Sequence, residues 1–221
     1  FRFVAGEFAM IGLIIDGKRV IRAYSVVSPP WAEELEFLSI KIQDGELTSK
    51  LQHIEVGNEV IIMPKCTGTL VNSALTQGGE LWMLATGTGL APFMSLIRDL
   101  ETLETWTKIH IVHSVRHSSD LAYNVDLATA FKDHPQDGEL HEMVAGVLEY
   151  HPILTGNGEH RITTQLAHHH LPIDTGTDKI MVCGNLEFNH QVSDWCEAQG
   201  MTEGSLREPG TFVVERAFVE K

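Results

Sequence analysis

The chain has 221 residues, 43% apolar and 21% charged, the balance of a soluble globular protein with room for one large domain or two modest ones. That composition excludes disorder, collagen-like repeats and coiled coil. The formal charge of −14 argues against a general nucleic-acid binder, which needs a basic footprint.

In chain order, the sequence opens at Phe1 without a Met and runs straight into strand-like residues, so it reads as a piece whose first strand is missing. Strands are expected at Glu7–Ile15, Val20–Val26, Leu35–Ile42 and Glu59–Pro64. Turn signals such as Asp16-Gly17, Ser28-Pro29-Pro30 and Asp44-Gly45 separate them. Short strands at roughly ten-residue spacing suggest an antiparallel barrel, with Leu47–His53 as a closing helix. In Arg22-Ala23-Tyr24-Ser25, residues two apart share a face of the strand, so Arg22 and Tyr24 project together. A guanidinium beside an aromatic ring suits a diphosphate and a planar heterocycle; it equally suits an Arg stem packed on Tyr at a barrel rim. Gly45-Glu46-Leu47-Thr48-Ser49 offers a second anion position at a helix start, or an ordinary cap.

The polar stretch Asn72–Gly79 reads as a linker between residues 1–76 and 77–221. Beyond it the grammar alternates. Strands are expected at Leu81–Ala85, Lys108–Ser114, His141–Ala145, Ile180–Cys183 and Phe212–Glu215. Helices are expected at Pro92–Leu103, Ser119–Lys132, Thr163–His170 and Phe188–Gln199. This alternation predicts a doubly wound parallel five-stranded sheet. Its first strand leads into Thr86-Gly87-Thr88-Gly89-Leu90-Ala91-Pro92. Two glycines let the backbone approach a phosphate, and the following helix start offers free N–H groups. The third position of a standard dinucleotide fingerprint is not Gly or Ala here.

The acidity is lopsided: residues 1–79 hold 7 Lys/Arg against 9 Asp/Glu, residues 80–221 hold 9 against 21. An acidic partner is therefore tolerated by the first half and repelled by the second. The longest apolar runs, such as Met10–Ile15 and Val60–Met63, fall short of the ~20 residues of a membrane span. With no signal-peptide order at the start, the expected location is the cytoplasm, without membrane or nucleic-acid partners. Cys66, Cys183 and Cys196 are too few and too far apart for a disulfide framework, a CxxC metal site or an iron–sulfur cluster.

Arg22-Ala-Tyr-Ser25, Gly45-x-Leu-Thr48, Gly87-Thr-Gly-x-x-Pro92 and Cys183-Gly-Asn185, in that order, resemble the ferredoxin–NADP reductase family, specifically its bacterial flavodoxin/ferredoxin reductases. The tail Val214–Lys221 resembles the ending of that branch. The resemblance implies an FAD-binding Greek-key barrel over 1–76 and an NADP-binding α/β domain with a C-terminal tail over 77–221. It implies electron transfer between NADPH and ferredoxin or flavodoxin, by a monomer. Arg22 would then bind the FAD diphosphate, Ala23 would contact the FAD, Tyr24 would stack on the ring and Ser25 would lie near its reactive nitrogen. Leu38, Ile40, Leu47, Thr48 and Thr88 would line the cofactor. Ala217 falls where plant-type relatives cover the ring with a tyrosine, and Phe218 would pack near the adenine. Gly87, Thr88, Gly89, Gly184, Asn185 and Leu186 would hold the NADP. Cys183 and Glu215 would sit with Ser25 at the hydride site; the bland alternative for Cys183 is a buried small hydrophobe.

Telling NADPH from NADH requires cations for the 2′-phosphate. Arg116 and Arg161 match two such positions of the family. A third, an arginine after the third strand of the nucleotide domain, reads Ala145-Gly146-Val147 here. NADPH remains the expected nucleotide, with NADH use as the alternative. Rival readings are an NADH-dependent reductase component of an oxygenase and a non-catalytic nucleotide-binding subunit. His168-His169-His170, on a helix, would diverge by ~100° per residue and so not converge on a metal. Trp31, Trp82, Trp106 and Trp195 read as packing residues, and Asp99, Glu101 and Glu104 as a solvated face.

Overall fold

A computed structural model describes residues 1–42, 44–134, 140–156 and 160–215. The first part is a small antiparallel sheet. Strand β1 (Phe8–Ile15) pairs along its whole length with β2 (Lys18–Ser25) across the Asp16-Gly17 turn, and on its other side with the two-residue β3 (Ile61–Ile62). Asp16 and Gly17 both take positive φ, 49° and 75°, as a two-residue hairpin turn of this type requires. Helix α1 spans Thr48–Leu51. The expected strand Leu35–Ile42 does not form. The segment's backbone meets the smaller part at the Val26–Phe37 bridge and the Val27 N–H to Glu36 carbonyl bond, and Phe37 packs on the small cluster of Ala9, Ile11 and Val26. Leu38 and Ile40 border the cleft described below.

The second part is a five-stranded parallel sheet in the order β6-β5-β4-β7-β8. Its strands are β4 (Leu81–Thr86), β5 (Ile109–Val115), β6 (Leu148–Leu154), β7 (Lys179–Cys183) and β8 (Phe212–Val214). β4, β5 and β7 are buried almost throughout, as strands covered on both faces are. One face packs α2 (Ala91–Leu96), α3 (Leu100–Thr105), α4 (Asn124–Ala128) and α5 (His141–Val147) through a core that includes Met83, Phe93, Phe131 and Val144. The other packs α6 (Ile162–Ala167) and α7 (Leu186–Ala198) against Leu84, Val112 and Val182.

Three expectations for this part are corrected. The expected strand His141–Ala145 is helix α5, and the third strand in sequence is β6, at Leu148–Leu154. Leu140, Val144, Val147 and Leu148 all face the main core, a helical spacing that outweighs the short apolar run. β6 contains Pro152, which an edge strand tolerates. The expected helix Pro92–Leu103 is broken into α2 and α3. Arg98, 3% exposed, bonds back to the Met94 carbonyl and across to that of Val27. Asp99 then caps α3 by accepting from the Thr102 N–H at 3.1 Å. Ser119–Lys132 is likewise interrupted, with Tyr123, Ala130 and Phe131 at positive φ.

The expected linker is packed for half its length. Asn72–Ala74 form a 3-10 turn; Asn72 donates to Thr102 Oγ1 at 2.9 Å and accepts from Trp106 Nε1 at 3.0 Å. Ser73 and Thr76–Gly79 are exposed. Further ties join the two parts: Ser95 Oγ donates to the Ser28 carbonyl, Trp31 Nε1 to that of Arg98, and Tyr123 Oη to Glu36.

Candidate active site

In an open parallel sheet the crevice for a ligand lies at the carboxyl ends of the strands, where the strand order reverses. Here the reversal falls at β4, flanked by β5 and β7. A cleft of about 1320 Å³ opens there, lined by Thr86, Gly87, Thr88 and Gly89 after β4 and by Ser114, Val115 and Arg116 at the end of β5. Thr155 follows β6, Gly184, Asn185 and Leu186 follow β7, and Arg161 leads α6. Leu38, Ser39, Ile40 and Lys41, from the first part, form the opposite rim.

The glycines answer to local geometry. Gly87 has φ +53°, where L-residues are strained. A Cβ on Gly89 would lie 2.1 Å from the Cys183 carbonyl oxygen, and one on Gly184 2.3 Å from Thr86 Oγ1. The loops after β4 and β7 therefore close on each other with no room for a side chain. Asn185 caps α7 by accepting from the Phe188 N–H at 2.9 Å.

His113, fully buried on β5, anchors the glycine loop: Nε2 lies 2.9 Å from the Gly87 carbonyl and donates to it. Burial pushes the imidazole below its ordinary value of 6.5, against a smaller upward pull from the Gly87 bond. Because the folded value is the lower one, the unfolded chain takes up the proton first as pH falls. Stability contributed by neutral His113 is full above pH 6.5 and is lost as pH drops through the folded value. Denaturation midpoints are expected to fall between pH 7 and pH 5, less steeply in His113→Gln; an identical slope in that variant would contradict the assignment. His151 is depressed too, first by burial and then by His110, so the variant retains part of the slope.

Of the residues singled out from sequence, the cleft gathers Leu38, Ile40, Gly87, Thr88, Gly89, Arg116, Arg161, Gly184, Asn185 and Leu186. Among the described residues neither Arg116 nor Arg161 pairs with a carboxylate. Thr155, at the end of β6, was missed because the third strand was misplaced. Gly156 follows it, so the position after that strand carries no cation and Gly146 belongs to helix α5. Ser39 and Lys41 carry no sequence signal for the cleft.

Arg22, Ala23, Tyr24, Ser25, Leu47, Thr48, Cys183 and Glu215 do not line it. Tyr24 Oη lies 3.5 Å from Ser39 Oγ, at the rim. Arg22 is exposed and pairs with Glu46 at 3.0 Å, a contact worth little at that exposure. Leu47 is buried, and the Thr48 hydroxyl donates to the Ile42 carbonyl at 3.3 Å rather than capping α1. Ser25 is 3% exposed and its hydroxyl has no hydrogen-bond partner among the described residues. Cys183 is fully buried; desolvation, then the charge of Glu215, hold its thiol well above the ordinary range. Glu215 is buried beside it, its backbone bonded to Val182 and Asn189. Ala217 and Phe218 lie outside the described residues. α6 ends at Ala167, and the rings of His168 and His170, beyond it, stack on each other rather than diverging.

Residues 83–194 match the family model of the oxidoreductase NAD-binding domain. A flavodoxin/ferredoxin–NADP reductase of Rhodobacter capsulatus is 48% identical, covering 99% of this chain and 84% of the relative. A ferredoxin–NADP reductase of Azotobacter vinelandii is 42% identical, covering 100% and 88%. The crystal structure of a ferredoxin NADP+ reductase from Neisseria gonorrhoeae with bound FAD and NADP superposes with a TM-score of 0.85 at 27% identity, covering 99% of this chain and 88% of that one.

Proposed function

The chain belongs to the bacterial ferredoxin/flavodoxin–NADP reductase family, and from that premise we propose that it is an FAD-dependent oxidoreductase carrying electrons between NADPH and a ferredoxin or flavodoxin. The observation that carries this reading is the cleft: a glycine loop at the carboxyl ends of the sheet, two arginines unpaired among the described residues, and the rim of the smaller part facing them. Its two sides suit the two halves of one reaction, nucleotide on the sheet and flavin toward the rim.

Two features of the smaller part fit FAD. Ser25 presents a buried hydroxyl with no partner among the described residues, an expensive state unless a ligand atom meets it. Ile40, 54% exposed at the rim, offers apolar surface that a planar ring would cover. In this reading residues 1–76 form the FAD-binding Greek-key barrel and residues 77–221 the NADP-binding domain. Arg22 exchanges Glu46 for the FAD diphosphate, Tyr24 stacks on the ring, and Leu38, Leu47 and Thr48 support it.

FAD, when bound, takes an electron pair with a hydride and returns electrons singly. The protein's contribution is placement. The loop Gly87–Gly89 admits the NADPH pyrophosphate to backbone N–H groups, and Arg116 and Arg161 take its 2′-phosphate. Cys183, the last residue of β7, and Glu215, just after β8, are both buried; in this reading they bound the nicotinamide end and exclude water. The thiol, held protonated, packs there as a neutral group and not as a nucleophile. The protein carrier docks on the smaller part, whose net charge is −2 against −12 for the rest. No helix among the described residues is long and apolar enough to cross a membrane; the proposed setting is a cytoplasmic monomer.

The test is spectroscopic. Protein reconstituted with FAD is expected to be yellow, to bleach on anaerobic NADPH, and then to reduce added ferredoxin or flavodoxin. Retention of flavin without bleaching by NADPH or NADH would overturn the proposal.

A further inference from the structure

The cleft uses the carboxyl ends of the strands. At their amino ends, roughly 16 Å away along β5, the same sheet gathers a second set of chemical side chains that line no part of the cleft. His110, second residue of β5, lies in register with Glu149 of β6 and with Trp82 of β4. Glu149 and His151, two apart on β6, share one face.

The three groups converge. His110 Nδ1 is 3.2 Å from His151 Nε2 and 3.4 Å from Glu149 Oε2, and His151 Nε2 is 3.8 Å from that same oxygen. Two ligands on a tetrahedral zinc ion, each about 2.0–2.1 Å from the metal, are separated by about 3.3–3.4 Å. The observed edges fall around that value, so the three atoms nearly trace one face of a zinc tetrahedron.

An independent feature orients the central ligand. The other nitrogen of His110, Nε2, lies 2.7 Å from Glu80 Oε2. A carboxylate there fixes the proton on Nε2 and turns the Nδ1 lone pair toward His151 and Glu149. This carboxylate–histidine pairing is how metal-ligating imidazoles are held. The ring is also clamped in place. Trp82 stacks on it at 3.8 Å with 9° between planes, and the Trp82 indole donates to Asp178 at 3.1 Å. His151 is half-buried, its ring 5.4 Å from that of His110.

We propose that His110, Glu149 and His151 bind a divalent transition metal of borderline softness, Zn²⁺ in the first instance, with Glu80 orienting His110. Two imidazoles and one carboxylate leave a fourth position for water and match zinc rather than the oxygen-only sets of Mg²⁺ or Ca²⁺. The ion would clip edge strand β6 to β5. Lys108 Nζ holds the other oxygen of Glu149 at 2.5 Å; this nearby positive charge sets the affinity below that of a closed four-ligand structural site.

The experiment is calorimetric titration of the FAD-loaded 221-residue chain with ZnCl₂ after chelator treatment, with the ion counted by native mass spectrometry. One equivalent is expected to bind. His151→Gln and Glu149→Gln, at half-exposed positions, are expected to raise Kd at least tenfold. Glu80→Gln, which touches no metal, should raise it by about 10–100-fold. Co²⁺ is expected to quench the emission of Trp82, and a Trp82→Phe variant should lose that quench. His168→Gln and His170→Gln control for the exposed histidine run and are expected to leave binding unchanged. No binding, or binding that survives His151→Gln but is lost in the His168 and His170 variants, would overturn the proposal. None of these readouts depends on turnover.

Discussion

Replacing Arg116 and Arg161 together by Ala is expected to raise the KM for NADPH at least 100-fold while leaving that for NADH within about threefold. Both residues line the cleft at strand ends, and neither is paired with a carboxylate among the described residues. Each charge-assisted hydrogen bond lost is worth roughly 1.5–3 kcal/mol, ten- to a hundredfold or more, and the two act on the same phosphate. NADH has no 2′-phosphate, so it does not feel the change. Steady-state kinetics with both nucleotides checks this, and an equal loss for the two would remove these arginines from the 2′-phosphate site.

The same geometry limits the reverse experiment. The family's third cation would follow β6, where this chain has Thr155-Gly156. Gly156 sits at φ +44°, and an L-residue held there costs roughly 1–2 kcal/mol. Gly156→Arg therefore spends most of the gain of a new phosphate contact on backbone strain. A gain in NADPH preference well below tenfold follows.

Gly89→Ala is expected to lower NADPH-dependent turnover by about 100-fold. The added methyl would lie 2.1 Å from the oxygen and 2.6 Å from the carbon of the Cys183 carbonyl. Both atoms are backbone of a fully buried strand, so the glycine loop must move instead. A displacement of about 1 Å at a reacting centre suffices for a loss of that size. Gly87→Asn is the control. A Cβ at Gly87 would meet no atom within 4 Å, and the position needs only a positive φ, which Asn tolerates, so that variant should lose far less. Thermal denaturation separates a displaced loop from a misfolded chain. Turnover of Gly89→Ala within threefold of the parent would show that the two loops do not meet as described.

Much of this protein was legible in its residues. Local patterns sufficed for the β1–β2 hairpin, where Asp16-Gly17 punctuates two strand-like runs, and for β4, β5 and β7, short β-branched and apolar-rich stretches that suit strands covered on both faces. The glycine loop after β4 was legible because a strand, two glycines and a proline at a helix start form a short, contiguous signal. The ordered set of four weak motifs led to the family that the similarity to known reductases then supported.

What failed were assignments settled by distant partners. Whether His141–Val147 is strand or helix depends on which face meets the core, and the contacts of Val144 and its helical neighbours decide for helix. Leu35–Ile42 has a strand's composition, but among the described residues its pairing stops at the single Val26–Phe37 bridge, and Leu38–Lys41 serve as a rim. The His110–Glu149–His151 cluster was invisible because His110 stands 39 and 41 positions from its two partners along the chain and meets them only through the register of a parallel pair. Sequence by itself determined what each segment is made to bury. Tertiary structure alone decided which buried faces meet, because pairing and register are set by contacts between residues far apart in the chain.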